Sequence, residues 1–168
     1  QLGKPDKSKI ENGINIYYGD VEVTERVVSF DIISVESNKK LSNEPLNLPP
    51  LTLETKSVWF SISPKIVENL ESEGFDFAGS IHAIEHAMIS MASYFTMCDR
   101  WDIGGVSTID GGELLTNWPV IYIYDGFPGG IGISESLYSI LFQLIKKTRK
   151  LIASCKCKEQ CPACVQSP

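Results

Sequence analysis

Residues 119–132 read PVIYIYDGFPGGIG, and they join a predicted strand to a predicted helix. The near-continuous apolar run over 119–125 predicts a strand that is buried on both faces. The glycine-rich turn at 126–132 then leads into a predicted helix over residues 133–153. One stripe of that helix recurs at helical spacing and predicts the face that packs on the sheet. The stripe comprises Leu137, Ile140, Leu141, Leu144, Ile145, Thr148 and Ile152.

Upstream of this unit, extended runs alternate with a proline-rich stretch. Residues 14–23 and 26–35 are rich in β-branched and aromatic side chains, so we predict two neighbouring antiparallel strands. Residues 56–62 predict a further short strand. Residues 36–50 carry three prolines, which lack a backbone donor, and we expect an insertion-like loop there.

Two helices are predicted before residue 119. A short one occupies 64–72 with Pro64 in its first turn, and a longer one occupies 80–97 with Ser80 as its N-cap. Residues 99–118 are glycine-rich and predicted to be irregular. In the longer helix the apolar face comprises Ile81, Ile84, Met88, Met91 and Phe95, and the opposite face comprises His82, Glu85, His86 and Ser93. The predicted class is α+β, with antiparallel strands, two main helices and a C-terminal four-cysteine zinc knuckle.

Composition limits the class of protein further. The chain has 168 residues, of which 43% are hydrophobic and 21% charged, as is typical of one globular domain. We expect a single domain with a body at 14–153 and a tail at 154–168, taken from a longer chain. No apolar run reaches the roughly 20 residues that span a bilayer, and no signal-like N-terminus is present, so we expect a reducing, cytoplasmic location. Three tryptophans are predicted to lie in the core or at its edge: Trp59, Trp101 and Trp118.

Four cysteines lie close together in the tail, with the spacing C-x-C-x3-C-x2-C: Cys155, Cys157, Cys161 and Cys164. Zinc takes four donors at tetrahedral corners, and a Cys-x2-Cys turn supplies two of them. Because all four donors would be thiolates, the predicted zinc site is structural, with no open position for a substrate. Three alternatives remain: an iron–sulfur cluster, whose usual spacings differ from this one, disulfides, which need an oxidising compartment, and free thiols.

Charge is distributed unevenly along the chain. The net charge is −6, with 9 basic and 20 acidic residues over 1–145, but 6 basic and 1 acidic over 146–168. The overall acidity argues against a uniformly basic nucleic-acid binder. The C-terminal basic side chains form a candidate DNA-contact region, here called the basic surface. Its members are Lys146, Lys147, Arg149, Lys150, Lys156 and Lys158. A solvated helix face is the alternative interpretation.

Residues 82–86 form the pattern H-x-x-E-H, the inverted zinc-peptidase motif. On a helix the two histidines stack four residues apart, so a metal-dependent hydrolase is one hypothesis. It would need a third ligand, for which the downstream glutamates are Glu113, Glu135 and Glu159. Hydrogen-bonded structural histidines are the alternative. The candidate polar cluster comprises His82, Glu85, His86, Asp102 and Asp125.

The glycine-rich turn at 126–132 lies between a strand and a helix, where backbone N–H groups can cradle an anion. It lacks both the Lys-Ser/Thr of a P-loop and the G-x-G-x-x-G of a dinucleotide site. A tight strand-to-helix turn is therefore the competing interpretation.

Four segments together resemble a known family: HAIEHAMI at 82–89, CDRWDIGGVS at 98–107, PVIYIYDGFPGGIG at 119–132 and SCKCKEQCPACVQSP at 154–168. They look like the C-terminal zinc-binding domain of superfamily-two DEAD/DEAH-box DNA helicases of the mitomycin repair factor A type, relatives of the RecQ4-like fungal helicases. The resemblance covers nearly the whole chain, from residue 14 onward. Its most specific parts are the glycine-rich turn and the four-cysteine tail.

The resemblance implies a parent chain that is an ATP-dependent 3′-to-5′ DNA helicase linked to DNA repair. Its motor domains would precede this domain, and DNA would be reached through the parent. The resemblance also implies one structural zinc ion per chain on Cys155, Cys157, Cys161 and Cys164. The sequence has no Walker A motif and no DEAD/DEAH box, so we expect no ATP hydrolysis by this chain alone. A zinc-stabilised protein-interaction module is a further hypothesis, and we expect a monomer.

Overall fold

Seven strands and three helices make up the part of the chain that the computed structural model describes, residues 2–111, 118–158 and 160–165. The strands are β1 (Lys7–Glu11), β2 (Ile14–Glu25), β3 (Ser29–Ile33), β4 (Lys40–Pro45), β5 (Leu51–Ser61), β6 (Ile103–Thr108) and β7 (Val120–Asp125). The helices are α1 (Pro64–Ser72), α2 (Phe77–Thr96) and α3 (Ile133–Ser154), and a 3-10 turn at Arg100–Asp102 precedes β6. None of these helices is long and apolar enough to cross a lipid bilayer. All strand pairs are antiparallel, which confirms the predicted α+β class.

Five strands form the main sheet, in the order β1-β2-β5-β7-β6. Its centre is fixed by a cross-strand row in which Tyr17 pairs with Trp59, and Trp59 pairs with Tyr122. The Trp59 ring stacks on both tyrosine rings, at centroid distances of 5.8 and 5.6 Å. These aromatic contacts bury Trp59 completely on the sheet face that points away from the two long helices.

The other face of the sheet carries α2 and α3, which also pack against each other. Because side chains alternate along a strand, Ile121 and Ile123 of β7 point to the helices while Tyr122 and Tyr124 point away. The core also contains Ile16, Val58, Phe60, Met88, Leu137, Leu141 and Leu144. The stripe predicted for the last helix is confirmed in this core: its members are buried or half-buried.

The proline-rich stretch at 36–50, predicted as a loop, contains a strand. β4 pairs with β3 in a separate two-stranded sheet, so β3 does not continue the sheet beside β2 as predicted. We call residues 26–50 the arm. Its three prolines follow or end β4, which leaves residues 40–44 free to donate to a ladder. The arm is inserted between Glu25 and Leu51, which pair with each other at the end of the β2–β5 ladder.

Two further strands were not predicted. β1 pairs with β2 at one edge of the sheet, and β6 lies at the opposite edge, within the stretch 99–118 that was predicted to be irregular. Gly104 and Gly105 let neighbouring side chains approach the backbone of β6 closely. An added Cβ at Gly104 would overlap the Tyr124 ring, and one at Gly105 would lie 2.7 Å from Ile89 Cδ1. The glycines therefore serve packing rather than irregularity.

Two local predictions are wrong. Asp76, not Ser80, is the N-cap of α2, and its carboxylate accepts a hydrogen bond of 3.0 Å from the Gly79 N–H. An Asp at this position stabilises the free amides and the positive end of the helix dipole better than a hydroxyl one turn further in. Trp101 is 81% exposed in the 3-10 turn and is not part of the core.

Candidate metal centre

The four tail cysteines converge just beyond the C-terminal end of α3. Cys155 is the C-cap residue, and its N–H donates to the Ile152 carbonyl. A tight turn follows in which the Cys164 N–H donates to the Cys161 carbonyl at 3.0 Å. The chain thereby doubles back, and all four Sγ atoms lie within 4.8 Å of one another.

The distances between these sulfur atoms match a tetrahedral metal site. The Sγ–Sγ separations are 3.4 Å for Cys155–Cys157, 3.6 Å for Cys155–Cys161, 3.6 Å for Cys157–Cys164 and 3.5 Å for Cys161–Cys164. Zinc–sulfur bonds of about 2.3 Å at tetrahedral angles separate the sulfurs by about 3.8 Å. A disulfide needs a separation of about 2.0 Å. The donor set therefore fits one tetrahedral ion such as zinc.

Crowding of the thiols changes their acidity. Hydrogen bonding with the backbone of Cys161 lowers the pKa of the Cys164 thiol to about 7. Hydrogen bonding with the Cys155 thiol raises the pKa of Cys157 to about 12. Cys164 therefore ionises most readily, and a metal would displace the protons that the other thiols retain.

The basic surface adjoins this cluster. All six of its side chains are exposed, four on the last three turns of α3 and two within the cysteine tail. Within the described part of the chain, none of the six forms an ion pair with a carboxylate, whereas Lys7, Lys9, Lys40 and Lys56 all do. The basic surface consequently presents uncompensated positive charge.

A second group of ligand-type side chains lies on α2, where His82, Glu85 and His86 have their candidate donor atoms within 4.8 Å of one another. The His82 and His86 Nε2 atoms are 3.1 Å apart. Glu85, predicted on the polar face, is only 5% exposed because it faces β6. Its Oε2 accepts a hydrogen bond of 2.7 Å from the Ser107 hydroxyl and lies 3.2 Å from His82 Nδ1.

Ser107 belongs to this group, although it is part of no motif in the sequence. It lies on β6, within the segment predicted to be irregular, so nothing in the sequence pattern placed it beside α2. Only the antiparallel pairing of Ser107 with Ile121 fixes its position opposite the helix.

The other two members of the candidate polar cluster do not join the histidines. Asp102 closes a capping box in the 3-10 turn, where it accepts from the Asp99 N–H. Asp125 pairs with Ile103, the first residue of β6. Ser107 lies four residues further along β6, about 13 Å away. The predicted five-residue cluster is thus divided among three places.

The carboxylate of Asp125 occupies the turn that the sequence suggested for an anion. Its Oδ2 accepts hydrogen bonds from the Ile131 and Gly132 N–H groups at 2.6 and 2.8 Å, and its Oδ1 accepts one from Ser134 at 2.7 Å. The amides at the N-terminus of α3 therefore bind an anion supplied by the chain itself, and the turn is structural.

The arrangement around α2 does not favour a peptidase. The glutamate of such a motif acts as a general base toward metal-bound water, whereas Glu85 is buried against Ser107. Of the proposed third ligands, Glu135 forms an ion pair with Lys7. Glu113 and Glu159 lie outside the described residues.

Sheet, helices and thiol cluster together define a small α+β domain with a four-cysteine metal centre. Residues 84–165 match the family model described as the MrfA Zn-binding domain. The chain belongs to this family of zinc-binding domains, as the resemblance implied.

Curated relatives extend the match beyond the zinc-binding segment. The ATP-dependent helicase YprA of Bacillus subtilis is 29% identical over 167 residues, which cover 95% of this chain and 21% of that protein. Protein MJ1572.1 of Methanocaldococcus jannaschii is 39% identical over 88 residues, 52% of this chain and 79% of that protein. This chain therefore spans about a fifth of the helicase relative and most of the archaeal protein.

A solved structure shares the fold over almost the full length. The crystal structure of the DUF1998 helicase MrfA bound to DNA matches with a TM-score of 0.67 and 27% identity. The match covers 98% of this chain and 21% of that one. The arm, the main sheet and the tail thus fall within one region of similarity.

Proposed function

We propose that this chain is the accessory zinc-binding domain of an ATP-dependent DNA helicase. In this proposal it holds one structural zinc ion through Cys155, Cys157, Cys161 and Cys164. The observation that carries the proposal is the near-tetrahedral set of four thiols, with separations of 3.4 to 3.6 Å, in a chain of the MrfA Zn-binding domain family.

Zinc would act here as a cross-link. Four thiolates close the coordination sphere, so the ion supplies folding energy and not a site for a substrate. The cross-link joins the last residue of α3 to Cys161 and Cys164, and Cys164 is 94% buried. The neighbouring Val165 lines an apolar groove between α2 and α3. Zinc would therefore hold the tail against the helical layer.

The helicase part of the proposal rests on the relatives. The YprA and MrfA proteins are about five times longer than this chain, and their names describe helicases. We infer that this chain is one domain of such a parent, whose other domains supply 3′-to-5′ translocation driven by ATP, in DNA repair within a reducing, cytoplasmic compartment. The chain would work as a monomer beside its motor domains.

The basic surface is the region that we propose to contact DNA. Four zinc-bound thiolates carry −4 against +2 from the ion, so the segment 146–168 would fall from +5 to +3 and would remain basic. The rest of the chain is strongly acidic, so phosphate contacts would concentrate at this end. The similar helicase MrfA was crystallised bound to DNA, which supports DNA as the ligand in this proposal.

Metal replacement tests the zinc site directly. We expect the purified chain to contain one zinc ion, and cobalt(II) in its place to give the intense absorption of a tetrahedral four-sulfur site. The double variant Cys161→Ser/Cys164→Ser should lose both signals, while Cys98→Ser should keep them because Cys98 packs at the edge of the core. A metal content unchanged in the double variant would refute the ligand assignment.

Strand separation by the full-length parent tests the accessory role. We expect Cys161→Ser in the parent to reduce unwinding while ATP hydrolysis without DNA persists, because the motor would be elsewhere in the chain. Cys98→Ser in the parent is the matched control. Unwinding at the unmodified rate by a zinc-free parent would contradict the proposed role.

A further inference from the structure

We propose that His82 and His86 form a second metal site, separate from the cysteine cluster. The site would bind one divalent ion of the kind that imidazole prefers, such as Zn²⁺, Ni²⁺ or Cu²⁺. It does not depend on the helicase assignment, since it is built entirely from α2 and β6.

The spacing of the imidazoles fits a shared ion. The two Nε2 atoms are 3.1 Å apart, and the ring planes meet at 81°. Two nitrogens bound at about 2.0–2.1 Å are separated by about 2.9 Å at a right angle and by about 3.4 Å at the tetrahedral angle. The observed separation lies between these limits, so both nitrogens reach one ion without a change of helix geometry.

The protonation pattern directs the Nε2 lone pair of His82 toward the same point. His82 Nδ1 lies 3.2 Å from the Glu85 carboxylate, which only accepts, so the proton of the neutral ring belongs on Nδ1. His82 Nε2 then presents a lone pair to His86. His86 Nδ1 is buried and has no hydrogen-bond partner among the described residues, so Nε2 is the one ring nitrogen of His86 with a neighbour. A cation between the Nε2 atoms would satisfy both.

Glu85 and Ser107 would form the outer layer of this site. Metal-binding histidines usually donate their second N–H to a carboxylate, which fixes the tautomer and makes the ligand more basic. Glu85 occupies that position, and the Ser107 hydroxyl holds the carboxylate at 2.7 Å. Gly105 makes the approach feasible, because a Cβ there would lie 2.8 Å from Glu85 Oε1.

The site is open to solvent on the side of His82, whose side chain is 64% exposed. An ion can therefore enter and leave without unfolding of α2, and its remaining coordination positions would be filled by water. We infer an exchangeable site, in contrast to the closed four-thiolate centre.

Nickel binding to the tag-free, zinc-loaded chain tests the inference, since the chain contains only two histidines. Isothermal titration should reveal one Ni²⁺ bound per chain, with paramagnetic broadening of both histidine proton resonances. His82→Ala and His86→Ala should each abolish this binding. Ser107→Ala should weaken it about tenfold, as loss of an outer-layer partner does.

Glu71→Ala is the matched control, because it removes an exposed potential ligand from α1. It should bind Ni²⁺ as the unmodified chain does, and circular dichroism should show that all variants keep their helices. Absence of nickel binding in the unmodified chain would overturn the inference, as would binding by either histidine variant as strong as that of the unmodified chain. Zinc content of the tail, measured in parallel, reports independently on the proposed function.

Discussion

Asp125 shows how one residue joins the sheet to a helix. Its carboxylate is fully buried at the end of β7 and accepts three backbone N–H groups at the start of α3. Thr55 on β5 completes the corner, because its hydroxyl donates to the Asp125 carbonyl at 2.9 Å. The orientation of α3, and with it the position of the cysteine tail, depends on this one side chain.

Asp125→Asn should therefore destabilise the domain. The amide loses the charge that strengthens three hydrogen bonds and places an NH₂ group against backbone donors, so we expect a loss of about 2–4 kcal/mol. Urea unfolding followed by circular dichroism measures this change. Glu22→Gln, an exposed change on β2, should stay within about 0.5 kcal/mol. Equal stability of the two variants would show that the carboxylate is dispensable.

Individual residues also show which parts of the candidate sites could be predicted from the sequence. The four cysteines and the histidine pair were identifiable from spacing, because their chemistry is local in the chain. Ser107 and the role of Asp125 were not, because Ser107 reaches α2 only through the register of β6 on β7, and Asp125 meets its amides only once the turn has folded.

At the scale of elements, the end of α3 depends on the tail. Removal of zinc by a chelator should release residues 155–165 and the last turn of α3, because four uncoordinated thiols provide little to hold the turns. The rest of α3 should persist, since Leu137, Leu141 and Leu144 are fully buried. Hydrogen exchange read by mass spectrometry should lose protection only in peptides beyond residue 149. Unchanged protection there after complete zinc removal would be contrary to this expectation.

The arm is a second element with its own prediction. β3 and β4 pair with each other, and Phe30, Ile33 and Val35 are largely exposed. Because Glu25 pairs with Leu51, a two-residue Asn-Gly turn can join β2 directly to β5 in place of residues 26–50. We expect the thermal unfolding temperature of the shortened chain to stay within a few degrees of that of the unmodified chain. A large loss, measured by calorimetry, would mean that the arm contributes to the core.

Elements were predictable where packing follows a simple period. The stripe of α3 was recognised from its helical spacing, and β7 from its near-continuous apolar run, because a central strand packs side chains on both faces. The strands β4 and β6 were missed because proline and glycine normally indicate loops. In this chain the prolines lie at the margins of β4 and the glycines admit neighbouring side chains, and sequence alone does not show such neighbours.

For the molecule as a whole, the separation of charge leads to a prediction about DNA. The triple variant Lys146→Ala/Lys147→Ala/Arg149→Ala should bind single-stranded DNA more weakly and with a smaller salt dependence. Each lost phosphate contact should reduce the slope of log affinity against log salt by about 0.7. Fluorescence anisotropy at several salt concentrations measures this.

A charge-matched control separates local contact from net charge. Lys4, Lys39 and Lys65 are exposed, lie outside the basic surface and form no ion pair among the described residues. Their replacement by alanine lowers the total charge equally and should leave the salt slope almost unchanged. Equal slopes for the two triple variants would argue against the basic surface as the contact region.

The contrasting environments of the tryptophans have an optical consequence. Trp59 is enclosed between Tyr17 and Tyr122, whereas Trp101 is in water, so their emission should differ in wavelength and in access to quenchers. The double variant Trp101→Phe/Trp118→Phe would leave Trp59 as the sole tryptophan, so the emission would report on the sheet interior. Since residues 154–165 contain no aromatic side chain, loss of metal from the tail should be silent in this signal. Intrinsic fluorescence can thus follow the body of the domain alone while a metal-sensitive dye follows the tail.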